Sequence, residues 1–137
     1  MRGEEDVRAV AYVDGGCFPN PGRAGWAALV IAPAYTRQVV GVEENSTNQR
    51  AEILAAIGAL EALEGPTEVE MVSDSQYLVM CGRREWRRRT NVDLWIRLDT
   101  AAALHRVSYT WVRGHAGNPG NEQAHKLAMR AIERGAA

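Results

Sequence analysis

The chain has 137 residues, a formal net charge of −1 and an apolar fraction of 46%. These values indicate one ordinary globular domain over residues 1–137, and the charge excludes a strongly basic, histone-like binder. No run of about 18 apolar residues occurs, and the acidic N-terminus lacks the pattern of a signal peptide, so we expect no membrane contact. Two cysteines, Cys17 and Cys81, are too few for a disulfide framework and indicate reduced thiols in a cytoplasmic protein.

The first half of the chain predicts three strands. Residues 7–14 are apolar on both faces, as a central strand covered on both sides would be. The segment GGCFPNPGRAG that follows is rich in Gly and Pro and predicts a loop. Residues 26–32 predict a second strand, and the more polar residues 37–43 a third strand nearer an edge. Three consecutive strands indicate an antiparallel meander.

Helical patterns dominate the remainder. Thr47 is a plausible N-cap for a helix that Gly65–Pro66 ends, and its core-facing stripe comprises Ile53, Ala56, Ile57, Leu60 and Leu63. Residues 68–73 predict a fourth strand. One helix begins near Ser75 and runs into a cluster of arginines, and another spans residues 92–104. Alternation over residues 107–111 predicts a fifth strand, and Asn118–Pro119 opens a last helix.

The predicted order βββαβαβα indicates an α/β fold. Strands that follow one another directly pair antiparallel, whereas strands separated by helices pair in parallel. We therefore expect a mixed five-stranded sheet flanked by helices.

Three carboxylates do not fit an ordinary core. Asp14 and Asp74 each end a predicted apolar strand, and ligand sites of open α/β sheets lie at such strand ends. Glu52 shares a helical face with Ala56 and Ala59 and therefore points towards the sheet. Three carboxylates buried together are costly unless cations neutralise them. Hard oxygen ligands of this kind favour magnesium or manganese.

Each carboxylate also has an ordinary explanation. Asp14 could form a turn before Gly15, Asp74 could cap the following helix, and Glu52 could pair with an arginine. The joint metal site explains all three at once.

The segment around REWRRR is locally basic and surrounds Trp86. Such a cluster can hold a phosphate backbone, or it can be a solvated helix end whose cations offset the helix dipole. Its members are Arg83, Arg84, Arg87, Arg88 and Arg89.

Several segments resemble the type 1 ribonuclease H family of bacteria and eukaryotes. They are YVDGGCFPNPGRAGW, STNQRAEILAAIGAL, VSDSQYL, NVDLWIRLD and YTWVRGHAGNPGNEQAHKLA, in family order and spacing from about residue 7 to about residue 130. TNQRAE, SDSQY and WVRGHAGNPGNE are highly specific together. The resemblance implies an endonuclease that cleaves the RNA strand of RNA–DNA hybrids, and a monomer that needs no partner protein.

The resemblance also implies roles for the site residues. Asp14, Glu52 and Asp74 would hold two divalent cations, Mg²⁺ or Mn²⁺, and the products would carry a 5′ phosphate and a 3′ hydroxyl. His115 matches a mobile loop histidine that transfers a proton or helps product release, although alone it reads as a surface histidine.

Seven positions match substrate-binding residues of the family. Thr47 and Asn91 match a pocket for a DNA phosphate, and each could also be a helix N-cap. Trp86 matches an aromatic against the DNA backbone, with a half-buried core tryptophan as the alternative. The amides that match minor-groove contacts are those of Asn20, Asn48, Gln49 and Gln76.

The chain departs from the family in two places. His125 occupies the position where most members have a fourth acidic residue, a further aspartate. It could be a fourth metal ligand that shifts preference towards Mn²⁺, a residue that orients water, or the mark of an impaired site. The segment between Asp74 and Asn91 is also too short for the family's basic handle, so we expect weak, salt-dependent binding of the hybrid.

Two other functional classes have features in common with this sequence. DNA transposases, integrases or junction resolvases share the fold and clustered carboxylates, but not TNQRAE and the GHAGNPGNE loop. A hybrid-binding module without catalysis is favoured only by His125.

Overall fold

The computed structural model describes residues 8–135. Nine elements occur in these residues: β1 Arg8–Cys17, β2 Gly22–Ala32, β3 Tyr35–Ser46, α1 Asn48–Glu61, β4 Glu68–Ser73, α2 Gln76–Gly82, α3 Val92–Ala102, β5 Arg106–Trp111 and α4 Pro119–Arg134. Two helices separate β4 from β5, so the order βββαβαβα contains one helix too few. Val7, predicted to begin the first strand, lies outside the described residues.

The five strands form one mixed sheet in the order β3-β2-β1-β4-β5. β1 pairs antiparallel with β2 and parallel with β4, while β2–β3 is antiparallel and β4–β5 parallel. The predicted α/β fold with a mixed five-stranded sheet is confirmed, and β3 lies at an edge as expected. β1 is the central strand, so its C-terminal end, which contains Asp14, lies between β2 and β4.

Helices cover both faces of the sheet. α1 packs on β1, β2 and β3 on one face with α2 and α3 beside it, and α4 packs on β1 and β2 on the other. The buried side chains of α1 and α3, among them Ile53, Ile57, Trp95 and Leu98, form the main core against the sheet. No helix within residues 8–135 is long and apolar enough to cross a membrane.

The predicted glycine-rich loop is mostly strand. β1 continues to Cys17 and β2 begins at Gly22, which leaves only residues 18–21 as the connection. A Cβ at Gly15 would lie 2.5 Å from the carbonyl carbon of Ala51, and a Cβ at Gly25 would lie 2.6 Å from the carbonyl oxygen of Ala128. These glycines let α1 and α4 approach the sheet closely. In the sequence, glycines with this role look the same as glycines that indicate a loop.

The helix ends differ by a few residues from the prediction. α1 ends at Glu61, before Leu63, and Arg37 Nη1 donates to the carbonyl of Ala62 at 2.7 Å. α3 ends at Ala102 rather than residue 104. The predicted start of the last helix is confirmed, because the Asn118 side chain accepts from the Asn121 N–H at 3.0 Å and Pro119 is the first helical residue.

Candidate active site

The parallel pairing of β1 and β4 brings Asp14 and Asp74 side by side. The last residues paired between these strands are Tyr12 and Val72, and each aspartate lies two residues further on. The sequence predicted that Asp14 ends its strand. This prediction is wrong, because β1 remains paired with β2 up to Cys17. The two carboxylates therefore face each other where β1 and β4 separate.

Glu52 reaches the same place from the first turns of α1. Its Oε1 accepts a hydrogen bond from Ser75 Oγ at 2.6 Å. The same hydroxyl caps α2 by accepting from the Leu78 N–H at 3.0 Å. Ser75 therefore orients Glu52 towards the ends of the parallel strands. The sequence predicted Ser75 only as the start of a helix and not as a residue of the site.

Burial perturbs the protonation of two of the carboxylates. Asp14 is 6% exposed, and burial, followed by the charge and hydrogen bond of Asp74, raises its pKa from 3.8 to about 8. Burial also raises the pKa of Glu52 to about 7, against the opposing hydrogen bond from Ser75. The charged trio is costly in this setting, and a bound cation would lower that cost.

Two histidines complete the rim of the site. His125 Nδ1 lies 3.0 Å from Asp14 Oδ2. The ring of His115 stands edge-on to that of His125, with centroids 5.0 Å apart and an interplanar angle of 86°. His115 is exposed in the loop before α4 and has a φ of 58°. The cleft that contains both histidines and all three carboxylates has a volume of about 400 Å³.

The carboxylates of the cleft supply hard oxygen donors of the kind that a divalent cation needs. Within residues 8–135, no three His, Cys, Asp or Glu side chains are already arranged to hold one metal ion together. Mg²⁺ is ordinarily held by one or two carboxylates, with water and substrate phosphate oxygens completing its shell. Asp14, Glu52 and Asp74 fit this pattern, since their hard oxygens share one cleft and their charges need neutralising.

Comparison with known proteins gives the family. The family model described as RNase H matches residues 6–133. A Ribonuclease H of Nitrosococcus oceani is 44% identical, over 90% of this chain and 93% of the relative.

The chain belongs to the ribonuclease H family. The predicted membership is therefore confirmed, and with it the class of divalent-metal-dependent nucleases.

Solved structures agree with this assignment. The N-terminal RNase H domain of a Mycobacterium tuberculosis protein, solved as a fusion with maltose-binding protein, has a TM-score of 0.84 at 27% identity, covering 94% of this chain and 96% of that one. LC11-RNase H1, solved in complex with an RNA/DNA hybrid, has a TM-score of 0.79 at 22% identity, covering 92% and 97% of the two chains. The likeness to LC11-RNase H1 shows the fold alone.

In this ribonuclease H fold, two of the four predicted minor-groove amides also order the loop of residues 18–21. Asn20 Oδ1 accepts from the Asn48 N–H at 3.2 Å, and Asn48 Oδ1 accepts from the Cys17 N–H at 2.7 Å. Gln49 and Gln76 are exposed in the first turns of α1 and α2. These hydrogen bonds hold the loop against the start of α1, where Asn48 lines the cleft.

The two residues of the predicted phosphate pocket differ in local structure. Thr47 caps α1, since its Oγ1 accepts from the Arg50 N–H at 3.2 Å. Asn91 precedes α3 in a left-handed conformation and makes no side-chain cap, but its Nδ2 donates to Tyr77 Oη at 3.1 Å. Asn91 is therefore not an ordinary N-cap.

An arginine between two carboxylates joins the helix starts near Thr47 and Asn91. Arg50 Nη1 and Nη2 each donate to the Asp93 carboxylate at 3.0 Å, and its Nε donates to Glu43 Oε1 at 2.9 Å. Arg50 therefore fixes the start of α3 relative to the start of α1.

Only the first member of the arginine cluster belongs to a helix end, because α2 ends at Gly82 with Arg83 as its C-cap. Arg88 has a side chain only 11% exposed, donates to both oxygens of Asp99 at 2.8 Å, and lies 4.5 Å over the Trp95 ring. It is a structural residue. Arg87 and Arg89 are exposed, and Trp86 is 46% exposed, so all three are accessible to a ligand.

Proposed function

We propose that this chain is an endonuclease that hydrolyses the RNA strand of RNA–DNA hybrids, leaving 5′ phosphate and 3′ hydroxyl ends. The observation that carries the proposal is the convergence of Asp14, Glu52 and Asp74 in one cleft, where burial makes the charges of Asp14 and Glu52 costly without cations. Membership of the ribonuclease H family supports the same substrate and reaction.

The three carboxylates would hold two divalent cations. When bound, these cations would supply activation of the attacking water and stabilisation of the departing 3′ oxygen. Ser75 fixes the Glu52 carboxylate through its 2.6 Å hydrogen bond. His115, exposed on its glycine-flanked loop, moves a proton at the leaving group or assists product release.

Polar residues around the cleft select the substrate. The amides of Asn20, Asn48, Gln49 and Gln76 donate to ribose 2′ hydroxyls and base edges in the minor groove, and the 2′ hydroxyl distinguishes RNA from DNA. Thr47 and Asn91 bind a phosphate of the DNA strand between the starts of α1 and α3. Trp86 packs against the DNA backbone.

His125 takes the place of a fourth acidic ligand. Metal-bound histidines commonly donate their other ring N–H to a carboxylate. The 3.0 Å contact of Nδ1 with Asp14 Oδ2 fits that pattern and leaves Nε2 for a metal or a bound water. An imidazole nitrogen in place of an oxygen shifts preference from Mg²⁺ towards Mn²⁺.

The role of His125 is tested by His125→Asp. We expect this variant to gain activity in Mg²⁺ relative to Mn²⁺, because it restores a hard, charged donor. Initial cleavage rates in each metal, for both proteins, give the ratio. Identical responses of the two proteins to the two metals would show that His125 is not a ligand.

The main proposal is tested with labelled RNA–DNA hybrid, RNA duplex and DNA duplex, each with Mg²⁺ and with Mn²⁺. We expect cleavage of the RNA strand of the hybrid alone, and its loss in Asp14→Asn and Asp74→Asn. Glu133→Gln, a change of an exposed carboxylate on α4, is the matched control and stays active. Cleavage of the DNA duplex would favour a transposase-like enzyme, and hybrid binding without cleavage in Mn²⁺ would favour a binding module.

The family resemblance supports a monomer that acts in the cytoplasm without a partner protein. Light scattering of the purified chain, with and without hybrid, tests the monomer.

A further inference from the structure

The active-site cleft has an apolar end that the proposed chemistry leaves unused. Its acidic end holds the carboxylates and histidines, whereas its other wall is formed by Gly16, Phe18, Met129 and Ile132. A Cβ at Gly16 would lie 2.9 Å from Met129 Cε and 3.6 Å from Ile132 Cδ1, so these two side chains of α4 lie close over β1. The apolar end is therefore continuous with the site of the scissile phosphate.

Phe18 is the feature of this wall that packing does not explain. It is the one phenylalanine of the chain, and its 79% exposure exceeds that of every other large apolar side chain exposed within residues 8–135. An aromatic ring left in water forfeits the free energy that its burial would supply. A ring exposed on the rim of a catalytic cleft is placed to be buried by what enters the cleft.

The loop that carries Phe18 is held in position. Pro19 and Pro21 restrict the backbone on its C-terminal side, and the Phe18 N–H donates to the Arg23 carbonyl at 3.1 Å. The hydrogen bonds of Asn20 and Asn48 fasten the same loop to α1. Because the loop is already ordered, binding costs little further conformational entropy there, and the contact with the ring therefore gives a net gain in binding free energy.

We propose that Phe18, together with Met129 and Ile132 of the same wall, forms a subsite for the ribose of the RNA nucleotide next to the scissile phosphate. The group bonded to that phosphate along the strand is a sugar, and the apolar edge of a sugar suits this wall better than a charged phosphate. The inference rests on the proposed hydrolysis of hybrids, because the carboxylates define where the phosphate lies.

Steady-state cleavage of a labelled hybrid by Phe18→Ala tests the subsite. We expect KM to rise about tenfold with kcat changed less than about twofold, since the contact is made in both ground and transition states. Phe18→Tyr keeps the ring and should retain the wild-type KM, while Phe18→Leu should be intermediate. The matched control is Leu104→Ala, a removal of a 72% exposed apolar side chain after α3, which should leave KM unchanged.

Two further measurements separate the possible outcomes. Urea unfolding of Phe18→Ala should match the wild type, and fluorescence anisotropy of a labelled hybrid in a chelating buffer should show the same weakening as KM. An unchanged KM and affinity, a loss of stability, or a changed oligomeric state in Phe18→Ala would each overturn the subsite. Binding by the wild type that depends on Phe18 but leads to no cleavage would support the subsite and refute the hydrolysis. A wild type that does not bind the hybrid would overturn both.

Discussion

Asp14 lies in the interior of β1, beside Asp74 and within hydrogen-bonding distance of His125. Its pKa is raised in the folded chain from the ordinary 3.8 to about 8, chiefly by burial. Between these two values the folded protein holds a proton on Asp14 that the unfolded chain has lost. The stability associated with this group is therefore complete below about pH 4 and is lost as the pH rises through 8.

Asp14→Asn should remove this loss, because an amide cannot ionise. In a chelating buffer at pH 8 we expect the variant to be more stable than the wild type by several kcal/mol, with the difference shrinking towards pH 4. Mg²⁺ or Mn²⁺ at pH 8 should stabilise the wild type more than the variant. Urea unfolding at pH 4.5, 6 and 8, with Glu133→Gln as control, measures both effects. A variant less stable than the wild type at pH 8 would contradict the expectation.

Structural features that depend on adjacent residues were predicted well from the sequence. The capped starts of α1 at Thr47 and of α4 at Pro119 are confirmed, because cap chemistry depends on adjacent residues. The extent of β1 and β2 was missed, since Gly15 and Gly25 serve contacts with distant helices. Phe18 was missed for a related reason, because its exposure depends on how the loop is fastened to α1.

The arginine cluster shows the same limit within the candidate site. Sequence treats Arg87, Arg88 and Arg89 alike, whereas Asp99 and Trp95 make Arg88 part of the structure. Replacing all three would therefore mix a loss of stability with a loss of binding. The carboxylates were easier to place, since Asp14 and Asp74 follow apolar runs and Glu52 lies on an apolar helical face.

The double substitution Arg87→Ala with Arg89→Ala isolates binding. We expect KM for the hybrid to rise more than kcat falls, and the slope of log affinity against log salt to become shallower by about 1 for each phosphate that an arginine no longer neutralises. Arg106→Ala, an exposed arginine at the start of β5, is the control. Affinities measured at several salt concentrations give the slope, and an unchanged KM and slope would exclude a binding role.

Both helical layers pack against β1 and β2. A change in either layer therefore disturbs the same sheet, and the single domain predicted over residues 1–137 should unfold in one cooperative step. Gly25→Ala acts on the α4 side, where the new Cβ would lie 2.6 Å from the Ala128 carbonyl oxygen. Leu98→Ala acts on the opposite side, where Leu98 of α3 is fully buried.

Each substitution should lower the midpoint of the same transition. We expect about 1–3 kcal/mol from overpacking at Gly25 and about 2–5 kcal/mol from the cavity at Leu98. Gly65→Ala, where an added Cβ meets nothing within 4 Å, should leave the midpoint within about 0.5 kcal/mol. Far-UV circular dichroism and tryptophan fluorescence, followed in urea, should give coincident curves for all three variants. If Gly25→Ala unfolds first by circular dichroism while the buried Trp95 of α3 still reports a folded environment, α4 is a separate cooperative unit and the single-domain expectation fails.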